Sequence, residues 1–128
     1  MNFGIIICTH GATGVEMLNS IRMITGIEDG LKAIYFKDDY SPEDVMKSYN
    51  DAIKELNKES YVILTDIKGG TPFNCAARIA MENNKCQVVT GVNIPMVISL
   101  VLSPYDDIND AINNSLEEGK SSIEKFSF

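Results

Sequence analysis

The sequence predicts an α/β protein built on an open, mostly parallel sheet with helices on both faces. Apolar runs of strand length alternate with longer segments of helical period, the pattern of parallel strands joined by crossover helices. The strand-length runs are apolar throughout, as expected where both faces of a sheet are covered. The chain has 128 residues, 45% apolar and 23% charged. That is one domain's length, with enough apolar content for a core without staples, so residues 1–128 are expected to form a single domain.

Each element has a local reason. Phe3–Cys8 is almost wholly apolar and ends at Thr9-His10-Gly11, as a central parallel strand does. Gly14 to Ile24 carries Val15, Leu18, Ile21 and Ile24 at helical spacing and is closed by Gly26. Leu31–Phe36 is a second strand. Ser41-Pro42-Glu43-Asp44 starts a helix: Ser41 caps it, Pro42 fits the first turn and two acids favour the positive end. Its buried stripe is expected at Val45, Tyr49, Ala52, Ile53 and Leu56. Tyr61–Thr65 is a third strand, followed by a Gly69-Gly70 turn and a helix from Thr71-Pro72 through Met81. Cys86–Thr90 is a fourth strand, Asn93-Ile94-Pro95 opens a helix to Leu102, and Asp106–Glu118 forms the last. Ile123–Phe128 is expected as a short edge strand.

Composition excludes several functions. Eleven basic against eighteen acidic residues leave a net charge of −7, which opposes nucleic acid or an anionic membrane as the main partner. Cys8, Cys75 and Cys86 are odd in number and widely spaced, without C-x-x-C. They read as small buried hydrophobes rather than a disulfide framework or zinc site, and no metal or cofactor is expected. The first residues lack a basic region and cleavage site, and the longest apolar run, in Ile94–Leu102, is far short of a membrane span. A cytoplasmic protein is expected.

The chemistry gathers at strand ends. His10, the single histidine, lies where the first strand meets a glycine-flanked turn, and Asp66 ends the third strand. Ligands of open parallel sheets bind at the carboxyl ends of strands. If the first and third strands are neighbours, the carboxylate can fix one imidazole nitrogen and leave the other free as a nucleophile. Gly11 and Gly14 before one helix, and Gly70-Thr71 before another, offer backbone N–H groups to an anion, with hydroxyls from Thr9 and Thr71. A lone histidine amid phosphate donors, without a basic triad, points to a histidine that itself becomes phosphorylated. The bland alternatives are a structural His10 and an Asp66 that merely caps its loop. Cys8 lies too deep in an apolar strand to be a ready thiolate.

These residues carry a resemblance. F-G-I-I-I-C-T-H-G, L-T-D-I-K-G-G-T-P-F-N and V-V-T-G-V-N-I-P-M are similar to segments of the enzyme IIA component of the mannose/fructose/sorbose class of the bacterial phosphoenolpyruvate-dependent sugar phosphotransferase system. They fall in the family's order and spacing, and the resemblance spans essentially the whole chain. It implies that His10 is the phosphorylated residue, that Asp66 hydrogen-bonds it and that Thr71 is the hydroxyl residue at the phosphate. It implies four parallel strands, with a fifth, antiparallel edge strand exchanged in a homodimer, which suits Ile123–Phe128. It implies HPr as phosphoryl donor, the IIB subunit as acceptor, and an indirect link to the membrane IIC and IID subunits. The IIB domain fused behind this one in some relatives is expected to be absent.

Two alternatives stand beside it. A phosphocarrier feeding dihydroxyacetone kinase has a similar histidine site and a different acceptor; G-G-T-P-F-N and G-V-N-I-P favour the sugar branch. A nucleotide-binding module would use Gly11-x-x-Gly14 after the first strand and Asp38-Asp39 after the second, but Thr9 holds the place of the leading glycine. Partner docking is expected around an apolar centre of Ile67, Phe73 and Met96 with an acidic rim that steers a basic donor.

Overall fold

The structure, a computed structural model, describes residues 1–128. The elements run β1 (Phe3–Cys8), α1 (Thr13–Thr25), β2 (Leu31–Ile34), α2 (Pro42–Leu56), β3 (Ser60–Thr65), α3 (Thr71–Glu82), β4 (Cys86–Thr90), α4 (Ile94–Val101) and α5 (Ile108–Ser121). The four strands form one all-parallel sheet in the order β2-β1-β3-β4. The fold class is thus the one predicted, and β1 and β3 are neighbours.

Strand periodicity divides the core in two. Ile5, Ile7, Val62 and Leu64 face one layer with Leu18 and Ile21 of α1, Val97 and Leu100 of α4 and Ala111 and Ile112 of α5. Ile6, Cys8 and Ile63 face the other, with Val45, Tyr49 and Ala52 of α2 and Cys75, Ala76 and Ile79 of α3. All six residues of β1 are buried, which explains its unbroken apolar run. All three cysteines are free and buried.

Helix starts follow their capping chemistry. Ser41 and Asp44 form a reciprocal capping box, each side chain accepting the other residue's backbone N–H, with Pro42 behind it. Asn93 caps α4 by accepting the Met96 N–H, and Asp107 caps α5 by accepting from Asn109 and Asp110. The Asp107 cap moves the start of α5 to Ile108, later than the expected Asp106.

Two expectations need correction. Val15 is half-buried and Ile24 is exposed, whereas Gly14, Leu18 and Ile21 form the buried row of α1. At 3.6 residues per turn, Val15 and Ile24 lie roughly a quarter turn to either side of that row. Strand β2 stops at Ile34 rather than Phe36, because its partner β1 ends at Cys8, opposite Ile34. Beyond it Tyr35 turns outward, and Phe36 makes an isolated antiparallel bridge to Gly11. Residues 123–128 pair with no strand of this chain, so the expected edge strand would need a second copy. Ile123, Phe126 and Phe128 are exposed, the two phenylalanine rings meeting edge-to-face at 5.0 Å.

Candidate active site

Parallel register brings the two strand ends together. Cys8 pairs with Thr65, so the residues that leave β1 and β3 at their carboxyl edge are adjacent. Asp66 Oδ2 accepts the backbone N–H of His10 at 3.0 Å and lies 2.8 Å from His10 Nδ1. Asp66 Oδ1 accepts the Ile67 N–H at 2.9 Å, and the Asp66 carbonyl accepts the Gly91 N–H at 3.0 Å. The carboxylate is therefore held by its own loop and by the residue it serves.

That bonding sets the charge of Asp66. Burial raises its pKa, but the hydrogen bonds donated by the His10 N–H, the His10 ring and the Ile67 N–H together outweigh burial and hold it below the usual carboxylate range. An ionised carboxylate only accepts, so Nδ1 must carry the proton and the neutral ring presents a lone pair on Nε2. The His10 side chain is 48% exposed, so an incoming group can reach that nitrogen. Asp66 accordingly bonds both its own loop and His10.

The two glycines of the following turn serve different ends. Gly69 has φ +89°, a left-handed conformation that other residues adopt only with strain. Gly70 has an ordinary φ of −83°, but a Cβ there would lie 2.6 Å from His10 Cε1 and 3.1 Å from Nε2. Only glycine lets the ring lie against this backbone. Gly70 is also the N-cap residue of α3, with no side-chain cap, so the first-turn N–H groups of Thr71 and Phe73 are left without a capping side chain at the helix end where Gly70 meets the ring.

On the α1 side the expectation is corrected. The Gly11 N–H donates to the Phe36 carbonyl at 3.0 Å. The Gly14 N–H donates to the Thr9 hydroxyl at 2.7 Å, and that hydroxyl in turn donates to the His10 carbonyl at 3.2 Å. Thr9 is only 1% exposed. These groups shape the turn that presents His10 and are not free donors for an anion, because buried polar groups must pair inside the fold. The same bonds remove the cradle that a nucleotide-binding reading needs at Gly11 and Gly14.

The docking candidates separate as well. Ile67 is exposed and Phe73 half-buried, both in or next to the loop that carries Asp66. Met96 is buried in the core against Gly119 and cannot form a docking centre. Charges in the surrounding loops are mixed rather than wholly acidic: Lys37, Asp38, Asp39 and Lys68 are all exposed. Below the site, burial pushes the Cys8 thiol up to about 11, which leaves it a poor nucleophile.

Sequence reasoning missed one neighbour. The Phe36 ring meets the His10 imidazole edge-to-face, centroids 5.6 Å apart and planes at 62°. The available signal was positional: Phe36 closes the apolar run of the strand beside the one that His10 closes.

Fold and site together define an α/β protein that carries a carboxylate-held histidine at the carboxyl edge of a parallel sheet, next to a helix N-terminus without a side-chain cap. The family model described as "PTS system fructose IIA component" matches residues 4–118. The mannose-specific EIIAB component of Escherichia coli K12 is 29% identical over 126 residues, covering 96% of this chain, which spans 39% of that protein's length. The fructose-specific EIIA component of Bacillus subtilis is 32% identical over 112 residues, 86% of this chain and 77% of that protein. Among solved structures, the mannose/sorbose-specific IIA subunit from Enterococcus faecalis superposes with a TM-score of 0.91 at 25% identity, covering 100% of this chain and 97% of that one. The EIIA component from Streptococcus agalactiae gives 0.89 at 26% identity, covering 96% of both chains. The chain belongs to the EIIA family of the mannose/fructose/sorbose class of the phosphotransferase system. Its components are phosphotransferase proteins of sugar transport. No helix is long and apolar enough to cross a membrane.

Proposed function

We propose that this chain is a phosphohistidine carrier of a sugar phosphotransferase system, with His10 as the residue that bears the phosphoryl group. One observation carries the reading: Asp66 Oδ2 engages both the backbone N–H and Nδ1 of His10, which leaves Nε2 free at the helix end where Gly70 meets the ring. Nε2 attacks the phosphorus of phospho-HPr in line. The new N–P bond forms as the donor's N–P bond breaks, and the electron pair returns to the donor imidazole. Nδ1 keeps its proton, and the Asp66 carboxylate stabilises the positive character of the ring. The N–H groups at the start of α3 and the Thr71 hydroxyl balance the phosphoryl oxygens. A second in-line step hands the group to the cognate IIB subunit, upstream of the membrane IIC and IID subunits: the Nε2–P bond breaks as the bond to the acceptor forms, and the electron pair returns to Nε2.

Donor and acceptor must reach the same nitrogen, so their docking surfaces overlap and the complexes form in turn. Interfaces of that kind are small and short-lived. Ile67 and Phe73, flanking the turn, are the apolar residues offered there. The chain acts in the cytoplasm as a homodimer. Incubation with HPr and its phosphodonor system, followed by intact-mass measurement, should add one phosphoryl group that is labile in acid and stable in alkali. Addition of IIB should remove it. A chain that gains no mass under these conditions is not the carrier proposed.

A further inference from the structure

The hydrogen bond to Asp66 fixes one atom of the His10 ring and leaves the ring free to swing about that contact. Terminal torsions of aromatic side chains lie in broad wells. In-line transfer tolerates little of this, since a misplacement of about 1 Å can cost on the order of a hundredfold in rate. Further contacts must hold the imidazole plane. Gly70 supplies one, close to the Cε1–Nε2 edge. Phe36 supplies the other, through its ring 5.6 Å from the imidazole centroid. The Phe36 carbonyl also accepts the N–H of Gly11, the residue that follows His10. Backbone and side chain of Phe36 thus bear on one turn.

The placement of Phe36 sets it apart from ordinary packing. It lies past the end of β2, half-buried at the margin of the core layer that holds α2 and α3. It borders an open cleft of about 320 Å³ shared with Gly11, Tyr35, Lys37, Asp38 and Asp39. Strand pairing does not require the chain to return to Gly11, because register pairing between β1 and β2 has ended at Cys8 and Ile34. The antiparallel bridge from Phe36 to Gly11 brings the aromatic ring to the imidazole all the same.

We infer that Phe36 is a positioning residue for His10, its ring holding the imidazole plane so that Nε2 points along the transfer path. The inference rests on the reading of His10 as the phosphoryl acceptor and adds to it the group that orients the acceptor. An aromatic side chain is required, since a rigid ring in edge-to-face contact limits imidazole rotation in a way that a flexible aliphatic chain does not.

The experiment compares the wild type with Phe36→Leu and Phe36→Tyr, with Phe36→Met as a second aliphatic variant should leucine lower the melting temperature. Transfer from phospho-HPr is followed by rapid quench across donor concentrations, and the motion and tautomer of the His10 ring by NMR on ring-labelled protein. Phe36→Leu should lower kcat on the order of tenfold with KM for the donor unchanged. It should also increase His10 ring motion, and Phe36→Tyr should restore both. Wild-type kcat and ring order in both aliphatic variants would overturn the inference, as would a defect confined to KM. The NMR measurement needs no donor, so it judges the contact even if the wild type accepts no phosphoryl group, a result that instead refutes the carrier role.

Discussion

Asp66 Oδ2 accepts two hydrogen bonds from one residue, the backbone N–H of His10 at 3.0 Å and the ring Nδ1 at 2.8 Å. The first fixes where the histidine leaves the strand, and the second fixes which ring nitrogen carries the proton. Asp66→Asn keeps the shape of this arrangement and removes its charge. The amide can also present N–H to Nδ1 and so stabilise the wrong tautomer. Transfer through His10 should slow on the order of tenfold or more, measured by rapid quench with phospho-HPr. An unchanged rate would reduce Asp66 to a loop cap.

His10 is the nucleophile in this scheme, and its half-exposed side chain contributes little to the core. His10→Ala and His10→Gln should abolish phosphorylation while leaving the circular dichroism spectrum and melting temperature near wild type. Retained labelling in either variant would place the phosphoryl group elsewhere.

Gly70 allows the activity and stability effects to be separated. A methyl group there would sit 2.6 Å from His10 Cε1, closer than such contacts occur, and would push the half-exposed ring off the place where Phe36 meets it. Gly70→Ala should therefore cost much more in transfer rate than in stability, since φ at this position is unstrained for alanine. A variant that transfers normally would show that the ring tolerates displacement.

How much of this was legible in the sequence depended on whether the cause was local. Phe3–Cys8 and Cys86–Thr90 have the expected bounds because apolar runs and flanking turns mark a parallel strand directly. Ser41 and Asn93 were legible as helix starts because capping is a matter of a few adjacent residues. His10 and Asp66 could be paired because both close a strand. The Gly11 and Gly14 N–H groups were not legible as engaged, since their acceptors are a carbonyl at Phe36 and a hydroxyl at Thr9 that only the folded turn brings near. Met96 follows a helix start like those at the site, yet the rotation of α4 turns it into the core. Phe36 escaped notice because its contact with His10 comes from backbone that has already left the sheet.

The depressed pKa of Asp66 gives a pH dependence with a definite sign. Its folded value lies below the unfolded value of about 3.9. The ionised carboxylate therefore contributes stability that is fully present above the unfolded value and is lost as pH falls through the lower folded one. The melting-temperature gap between wild type and Asp66→Asn should be widest near neutrality and shrink below about pH 4. A gap that grew on acidification would mean that the carboxyl is held protonated.

The last prediction concerns the exposed carboxyl-terminal tail. Strand β4 is an edge of the sheet, and an unpaired edge invites a further strand. Ile123, Phe126 and Phe128 are 79%, 76% and 116% exposed, too apolar a run to remain in water at no cost. The antiparallel strand exchanged between protomers, which the family resemblance implies, would cover both the edge and the tail. The cut that tests this must spare α5: the Ser122 N–H donates to the Glu118 carbonyl and its hydroxyl to that of Gly119 at 2.8 Å. Deletion of residues 123–128 is therefore the cleaner truncation. In light scattering at micromolar concentration the full chain should be dimeric and the truncated chain shifted toward monomer, with helical content preserved apart from the removed residues. The truncated form should also aggregate more readily, since its sheet edge is bare. A full-length chain that is monomeric at that concentration, or a truncated one that remains fully dimeric, would rule out the exchanged strand.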